Sequence, residues 1–387
     1  MGMDVFGSLW ALGSNLLFYV LPFLFILTVV VFVHEYGHYK VGRWCGVDVT
    51  TFSVGFGKEL FGWTDEHGTR WRFAAIPLGG YVKFAGDANA ASSPDGDALA
   101  GMSAEERRRT LPGATVGRRA AIVAAGPIAN FLFSILVFAA IVMALGKATI
   151  VPRVDRVAPE SAAAKAGLVR GDLIVAIDGA RVTAFDEVRR VVTTNAQNPL
   201  RFVVARDGVE REVEITPTLI ERRTPLGVER VGAIGVTAAN LPEDQRRVTY
   251  GPIEAIGYGV SESWFIVTRT FDYLGKLLTG REKADQLSGV IHIAEVSGHV
   301  ASTGGIVSLI TLAAVLSVSI GLMNLFPIPM LDGGHLMFYA FEALRGRPLS
   351  ERVQEYAFRA GVAFVLMLTV FVTWNDIARI ISRTATG

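Results

Sequence analysis

The segment Val33-His34-Glu35-Tyr36-Gly37-His38 closes an uncharged run that begins at Leu16. On a helix, residues four apart share a face, so His34 and His38 present two imidazoles to one metal ion. Glu35 stands about a quarter turn away, where it can handle the proton of a water at that metal. With 6 histidines among 387 residues, chance produces this pattern about 0.01 times. The competing reading is a helix end reaching the headgroups, where polar side chains are ordinary. A catalytic zinc takes a third protein ligand and keeps one position open. The best candidate lies in Asn324-Leu325-Phe326-Pro327-Ile328-Pro329-Met330-Leu331-Asp332-Gly333-Gly334-His335. Pro327 and Pro329 break a helix just before Asp332. Broken backbone at membrane depth is tolerated only inside protein or beside a wet cavity. Read by itself, Asp332 is as well explained as a solvated helix cap. His335 overshoots it and is not expected to bind metal.

The elements that must position these groups are membrane spans. The chain is 51% hydrophobic and 19% charged, with mean hydropathy +0.40, whereas soluble chains carry nearer a quarter charged residues. This excludes disorder, a collagenous repeat and a wholly soluble globule. A net charge of +1 gives no argument for nucleic acid as a partner. The single cysteine, Cys45, excludes an intrachain disulfide and a cysteine-based zinc ribbon. Leu16–Val33, Ala120–Leu145 and Ile306–Met330 are uncharged runs long enough to cross a bilayer. A fourth, Tyr356–Trp374, holds Arg359 near one end, where it can snorkel. The first 15 residues lack Lys and Arg, which argues against a signal peptide.

Arg43, Lys58, Arg107, Arg108, Arg109, Arg118 and Arg119 follow or flank the first two spans. Arg345, Arg347 and Arg352 lie between the last two. The positive-inside rule makes both loops cytoplasmic and exports the segment from about 146 to 303, although Arg379 and Arg383 run mildly against it. Spans one and three then both descend to the cytoplasmic leaflet, which brings His34, His38 and Asp332 to similar depth. His292 and His299 fall on the other side, and His67 reads as a solvated turn residue. The expected organisation is a first span with the histidine motif over 1–44, a cytoplasmic-side β-hairpin and connector over 45–117, and a second span over 118–146. A PDZ-like domain follows over 147–220, a periplasmic segment with an amphipathic helix over 221–302, a third span over 303–335, and a loop, fourth span and tail over 336–387.

Between Thr51 and Gly86, apolar and polar residues alternate, with glycines and an Asp65–Gly68 turn, as in short antiparallel strands. An edge around Gly79, Gly80, Tyr81 and Lys83 could position an extended substrate by strand addition; a sheet that merely caps the cytoplasmic mouth fits equally. Residues 88–113 read as a loose connector containing a capping box at Ser103 and Glu106. Gly126-Pro127 predicts a kink in the second span and Asn130 an interhelical hydrogen bond, with direct substrate contact the less favoured role for Asn130. The stretch Ala166-Gly167-Leu168-Val169-Arg170-Gly171-Asp172-Leu173-Ile174, followed by Ile177-Asp178-Gly179, a helix around 185–192 and a hairpin at Asp207-Gly208, is similar to a PDZ domain over about 151–219. No G-L-G-F-type carboxylate loop stands out there. The helix over 252–278 could lie on the outer leaflet or pack as core.

The chain resembles the site-2 intramembrane metalloproteases, and within them the branch of bacterial regulators of sigma-E. The resemblance rests on H-E-x-x-H in the first span, N-x-x-P-x-P-x-L-D-G in a later one, and the PDZ-like insert between them. Ile76-Pro77-Leu78-Gly79-Gly80-Tyr81-Val82-Lys83-Phe84 and Ala125-Gly126-Pro127-Ile128-Ala129-Asn130-Phe131 match as well. One PDZ copy is visible, where the best-known members carry two. The resemblance implies Zn2+ held by His34, His38 and Asp332, Glu35 as the catalytic acid/base, and Asn324 positioning the substrate backbone or its oxyanion. It also implies a multi-span α-helical protein of the bacterial inner membrane, with its active site near the cytoplasmic face and the PDZ-like α/β domain in the periplasm. The implied activity is regulated intramembrane proteolysis of single-pass membrane proteins, such as anti-sigma factors or signal-peptide remnants. The rival readings are a non-catalytic PDZ-bearing membrane scaffold and a divalent-metal transporter.

Overall fold

The computed structural model describes residues 3–87, 96–224, 227–239, 241–280, 284 and 287–386. The chain opens with α1 (Met3–Trp44), β1 (Val49–Thr64) and β2 (Arg70–Phe84), then the short α2 (Gly96–Ala100) and α3 (Ala104–Arg108), then α4 (Val116–Leu145). A β-rich stretch follows: β3 (Lys147–Ile150), β4 (Val154–Val157), α5 (Ala162–Lys165), β5 (Leu173–Ile177), β6 (Ala180–Arg181), α6 (Phe185–Thr194), β7 (Leu200–Arg206) and β8 (Val209–Ile215). It ends with β9 (Thr218–Thr224), β10 (Gly227–Ala233), β11 (Val236–Ala238) and β12 (Gln245–Val248). The last helices are α7 (Pro252–Leu278), α8 (Val290–Asn324), α9 (Asp332–Arg345) and α10 (Glu351–Thr386). The chain divides into a unit formed by 1–139 with 256–387 and a second unit, 140–255. Part of the expected connector, 88–95, lies outside the described residues.

Four helices are long and apolar enough to cross a membrane: Leu17–Trp44, Val116–Leu145, Val290–Asn324 and Arg352–Ile381. The first runs past its apolar stretch and carries the whole histidine motif inside the helix. It stops where Gly46 takes φ +77, with Gly46 N donating to Arg43 O and Val47 N to Gly42 O, a double bond pattern that closes helix ends. The third span differs from the Ile306–Met330 expectation. It begins at Val290, is interrupted at Gly305 (φ 61, ψ −158) and ends at Asn324. Pro327 and Pro329 therefore lie in a turn after the helix. Proline favours that outcome because it lacks the N–H that another turn would need. The helix α4 continues through Pro127.

Small and polar residues join these helices, as expected where apolar area gives no preference between lipid and protein. A Cβ on Gly298 of α8 would overlap Tyr19 of α1. Below that contact, Ile26 and Val30 pack on Leu309 and Ala313. Between α4 and α8, Ser134 Oγ donates to Ala314 O (2.8 Å) and Ser317 Oγ to Asn130 O (3.1 Å). The helix α7 packs Val267 on Val318 and Leu322, with Phe131 of α4 beside them, and sets the Phe271 ring edge-on to Phe326. Its apolar side thus meets helices, while Trp264 and Leu278 stay exposed.

The β1–β2 hairpin is bent at Gly55 (φ +92), Gly57 (φ +84) and Gly79 (φ +150). Residues 49–54 consequently pair on one side with 80–84 and on the other with 70–73, while 61–64 pair with 70–73 from the far side. Four half-strands result, with 80–84 at one edge. Phe52, Val54, Val82 and Phe84 share a core with Leu111 and Ile122.

In the second unit, β6-β5-β7-β8 form one sheet and β11 pairs with β4. Val188 and Val192 of α6 face Ile174, Phe202 and Ile215. Ile234 belongs to this same core, so the core of this unit takes in residues beyond 220. The charged strands β9 and β10 hid that return in the sequence. The segment Ala233-Ile234-Gly235-Val236, with Gly235 at φ +79, leads into β11 and has the apolar-Gly-apolar pattern sought earlier in the chain.

Asp172 is fully buried and accepts from Arg206 Nε (2.7 Å), Arg206 Nη2 (2.9 Å) and Val169 N (2.9 Å). Burial pushes its carboxyl up, but these donors outweigh burial and hold it below the usual carboxylate range. A folded-state value below the unfolded one contributes stability that is complete above about pH 4 and is lost as pH falls through the lowered value. Arg206→Gln is expected to destabilise this unit at pH 7, because it leaves the buried Asp172 carboxylate without its cation. The difference from wild type should shrink as pH falls through the lowered carboxyl value. Hydrogen exchange at β5 and β7 in the full chain measures it, and a difference independent of pH would contradict the pairing.

Candidate metal centre

His34 and His38 project from one face of α1, each only 8% exposed, with rings edge-to-face at 4.8 Å. Asp332 is the first residue of α9. His34 Nε2 lies 3.1 Å and His38 Nε2 3.5 Å from Asp332 Oδ2, and the two Nε2 atoms are 3.2 Å apart. Among the described residues this is the one group of three or more His, Cys, Asp or Glu side chains placed to share a metal ion.

The backs of the imidazoles are held by α4. His38 Nδ1 is 2.9 Å from Ile122 O, and His34 Nδ1 is 3.2 Å from the Asn130 amide. A carbonyl only accepts, so Nδ1 of His38 carries a proton and, in the neutral ring, Nε2 turns its lone pair into the cluster. Asn130 Oδ1 has no donor among the described residues. Exchanging the amide's O and N puts that oxygen on His34 Nδ1–H and frees the second Nε2 lone pair in the same direction.

Asp332 Oδ2 is buried and likewise lacks a hydrogen-bond donor. Three donor atoms thus converge on one point, which a shared metal ion would occupy. Tetrahedral zinc with bonds of about 2.0–2.1 Å implies ligand separations of roughly 3.3–3.4 Å. The observed 3.1, 3.2 and 3.5 Å fit it.

Glycines allow the approach. A Cβ on Gly126 of α4 would overlap His38 Nε2 and crowd His34 Cε1, and one on Gly37 of α1 would strike Ala125 O. The α1–α4 crossing therefore sits at the histidines. Gly333 and Gly334 play the same part for Asp332. A Cβ on either would overlap backbone of Leu325, Phe326 or Ile328, so the first turn of α9 folds directly on the turn after α8. Met330, two residues before Asp332, holds φ +96, a strained value for a side chain of its size.

Glu35, next to His34 on α1, faces β2. A Cβ on Gly80 would come 3.2 Å from Glu35 Cγ and closer still to Val31 and Ser53 O. Gly79 packs against the Phe56 ring, and Tyr81 stacks on Phe56 at 6.2 Å between centroids. Asn324 is the last residue of α8, half-buried. Asn130 is fully buried, and its amide addresses His34. His335 stands one turn along α9, outside the metal group, with its ring 6.5 Å from Tyr339. His67 occupies the Asp65 turn, donating its N–H to Asp65 Oδ1. His292 and His299 belong to the opening turns of α8, before its Gly305 break.

The model of peptidase family M50 matches residues 22–368. The chain belongs to peptidase family M50. A Rhizobium meliloti protein named as a zinc metalloprotease is 54% identical over 365 residues, covering 94% of this chain and 97% of that one. The regulator of sigma E protease of Salmonella typhi is 31% identical over 462 residues, covering 95% and 100%. The PDZ domain of an SdrC-like protein from Listeria monocytogenes is 22% identical to a stretch covering 23% of this chain and 86% of that domain, with a TM-score of 0.20. As a site-2 type M50 member, this chain is a zinc metalloprotease with four helices of membrane length among its described residues.

The role of Ile122 was not legible in the sequence, because a backbone carbonyl leaves no trace in residue type. The small residue at 126 was the available signal. Gly126→Ala is expected to weaken zinc retention at least ~10-fold by displacing His38. Metal content per purified chain measures it, and wild-type content would contradict the crossing described.

Proposed function

We propose that this M50 protease hydrolyses peptide bonds within or beside the transmembrane segments of single-pass membrane proteins in the bacterial inner membrane. Its step would belong to regulated intramembrane proteolysis. The observation that carries the reading is the convergence of His34, His38 and Asp332 inside a unit of membrane-length helices. The zinc they would hold supplies Lewis acidity to the scissile carbonyl and to water. Ile122 O and the Asn130 amide keep both imidazoles turned toward it. A carboxylate oxygen of Glu35 receives the proton of the attacking water and delivers it to the amide nitrogen of the leaving strand. Asn324, at a helix end, offers its amide to the substrate backbone or the oxyanion.

A substrate helix must unwind first, because its peptide bonds are hidden in its own ladder. The half-strand 80–84 supports that step. Along 80–82 its outer edge pairs with no strand among the described residues, and Gly80 lies against Glu35. Strand addition there would satisfy the released backbone and lay it beside the acid/base. The basic loops flanking the spans favour an active site near the cytoplasmic face with the PDZ-like unit in the periplasm. The substrate classes proposed are anti-sigma factors and signal-peptide remnants.

A tagged single-span reporter separates this reading from a non-catalytic scaffold. Wild type is expected to cleave it, and Glu35→Gln to cleave at least ~10²-fold more slowly while retaining zinc. Equal processing by both, or none by either across several reporters, would overturn it.

A further inference from the structure

Asp332 must meet two histidines from a different helix, yet it stands at the end of α9 beside a strained turn. Something has to fix α9 in direction. Its other half reaches the start of α4. Arg119 Nη2 donates to Glu342 Oε1 at 2.6 Å, with side chains only 15% and 14% exposed. The same guanidinium lies over the Tyr339 ring, 4.9 Å from its centroid, and its Nε donates to Ala114 O at 3.1 Å. One planar fork is thus fixed on three sides, two of them on α9.

Each partner is poorly placed for its own helix. Arg119 is in the first turns of α4, at the positive end of that dipole, and Glu342 is near the C-terminus of α9, at the negative end. Local helix stability therefore argues against both, and the contact between them is what they satisfy. Three residues after Arg119, Ile122 supplies the carbonyl that orients His38. A single turn of α4 accordingly references the histidine pair and the aspartate helix to one frame.

From this we infer that Arg119 is a positioning residue for the metal centre, acting through Glu342 and Tyr339 to hold α9 so that Asp332 meets His34 and His38. The inference rests on the metal reading above. Neither Arg119 nor Glu342 touches the ligand atoms, so its effect is on alignment.

The test is zinc affinity of the full-length, metal-stripped chain in detergent, measured by competition with a chelator. Arg119→Gln is expected to bind zinc roughly 10-fold more weakly, with kcat reduced and KM for a reporter little changed. The double exchange Arg119→Glu with Glu342→Arg restores the ion pair with both charges now favoured by their helices. It should return affinity to within about 3-fold of wild type. If Arg119→Gln does not fold, Glu342→Gln reads the same contact from the other helix. Wild-type affinity in the single variants, or a double exchange no better than either, would overturn the inference. His38→Ala keeps the outcomes distinct: zinc binding undiminished by it overturns the metal reading itself, whatever Arg119 does.

Discussion

The structure turns on the convergence of three donor atoms, from two helices, that can share one metal ion. Two imidazole nitrogens and a carboxylate oxygen lie within 3.5 Å of one another. The outer nitrogen of each ring is engaged by α4. The surrounding helices hold these atoms at ligand spacing. Most of the distinctive sequence around the site serves this purpose. Gly37 and Gly126 let α1 and α4 cross in backbone contact, and Gly333 and Gly334 let α9 start flush against the preceding turn. These glycines are where a membrane protein can gain close approach, since the lipid offers no hydrophobic incentive for helices to associate.

The hairpin and the PDZ-like unit answer different constraints. The bends at Gly55, Gly57 and Gly79 curl two long strands into four short ones, which brings an edge next to Glu35. The second unit has a core of its own, and its buried Asp172–Arg206 pair depends on solvent conditions that the membrane helices do not share.

Much of the site was readable because its chemistry is local. The helical period put His34 and His38 on one face, the expected span directions put Asp332 at similar depth, and the structure groups these three side chains. The spans were visible as uncharged runs, but their ends were not. Leu17–Trp44 outlasts its apolar stretch because helix geometry continues until Gly46 terminates it, and α8 stops at Asn324 because two prolines follow. The charges of β9 and β10 hid from the sequence that the core of the second unit takes in residues beyond 220. Only the tertiary return of Ile234 into that core shows it. Backbone contributions such as Ile122 O, and the long-range partnership of Arg119 with Glu342, leave no pattern in a single sequence.

The central claim is that one zinc ion joins α1 to α9 through His34, His38 and Asp332. Zinc-edge X-ray absorption of the purified full-length protein tests it most directly. The account predicts two imidazole nitrogens and carboxylate or water oxygen at about 2.0–2.1 Å, with one imidazole lost in His38→Ala and the oxygen contribution altered in Asp332→Asn. A coordination sphere without imidazole, or one that neither substitution changes, would contradict it.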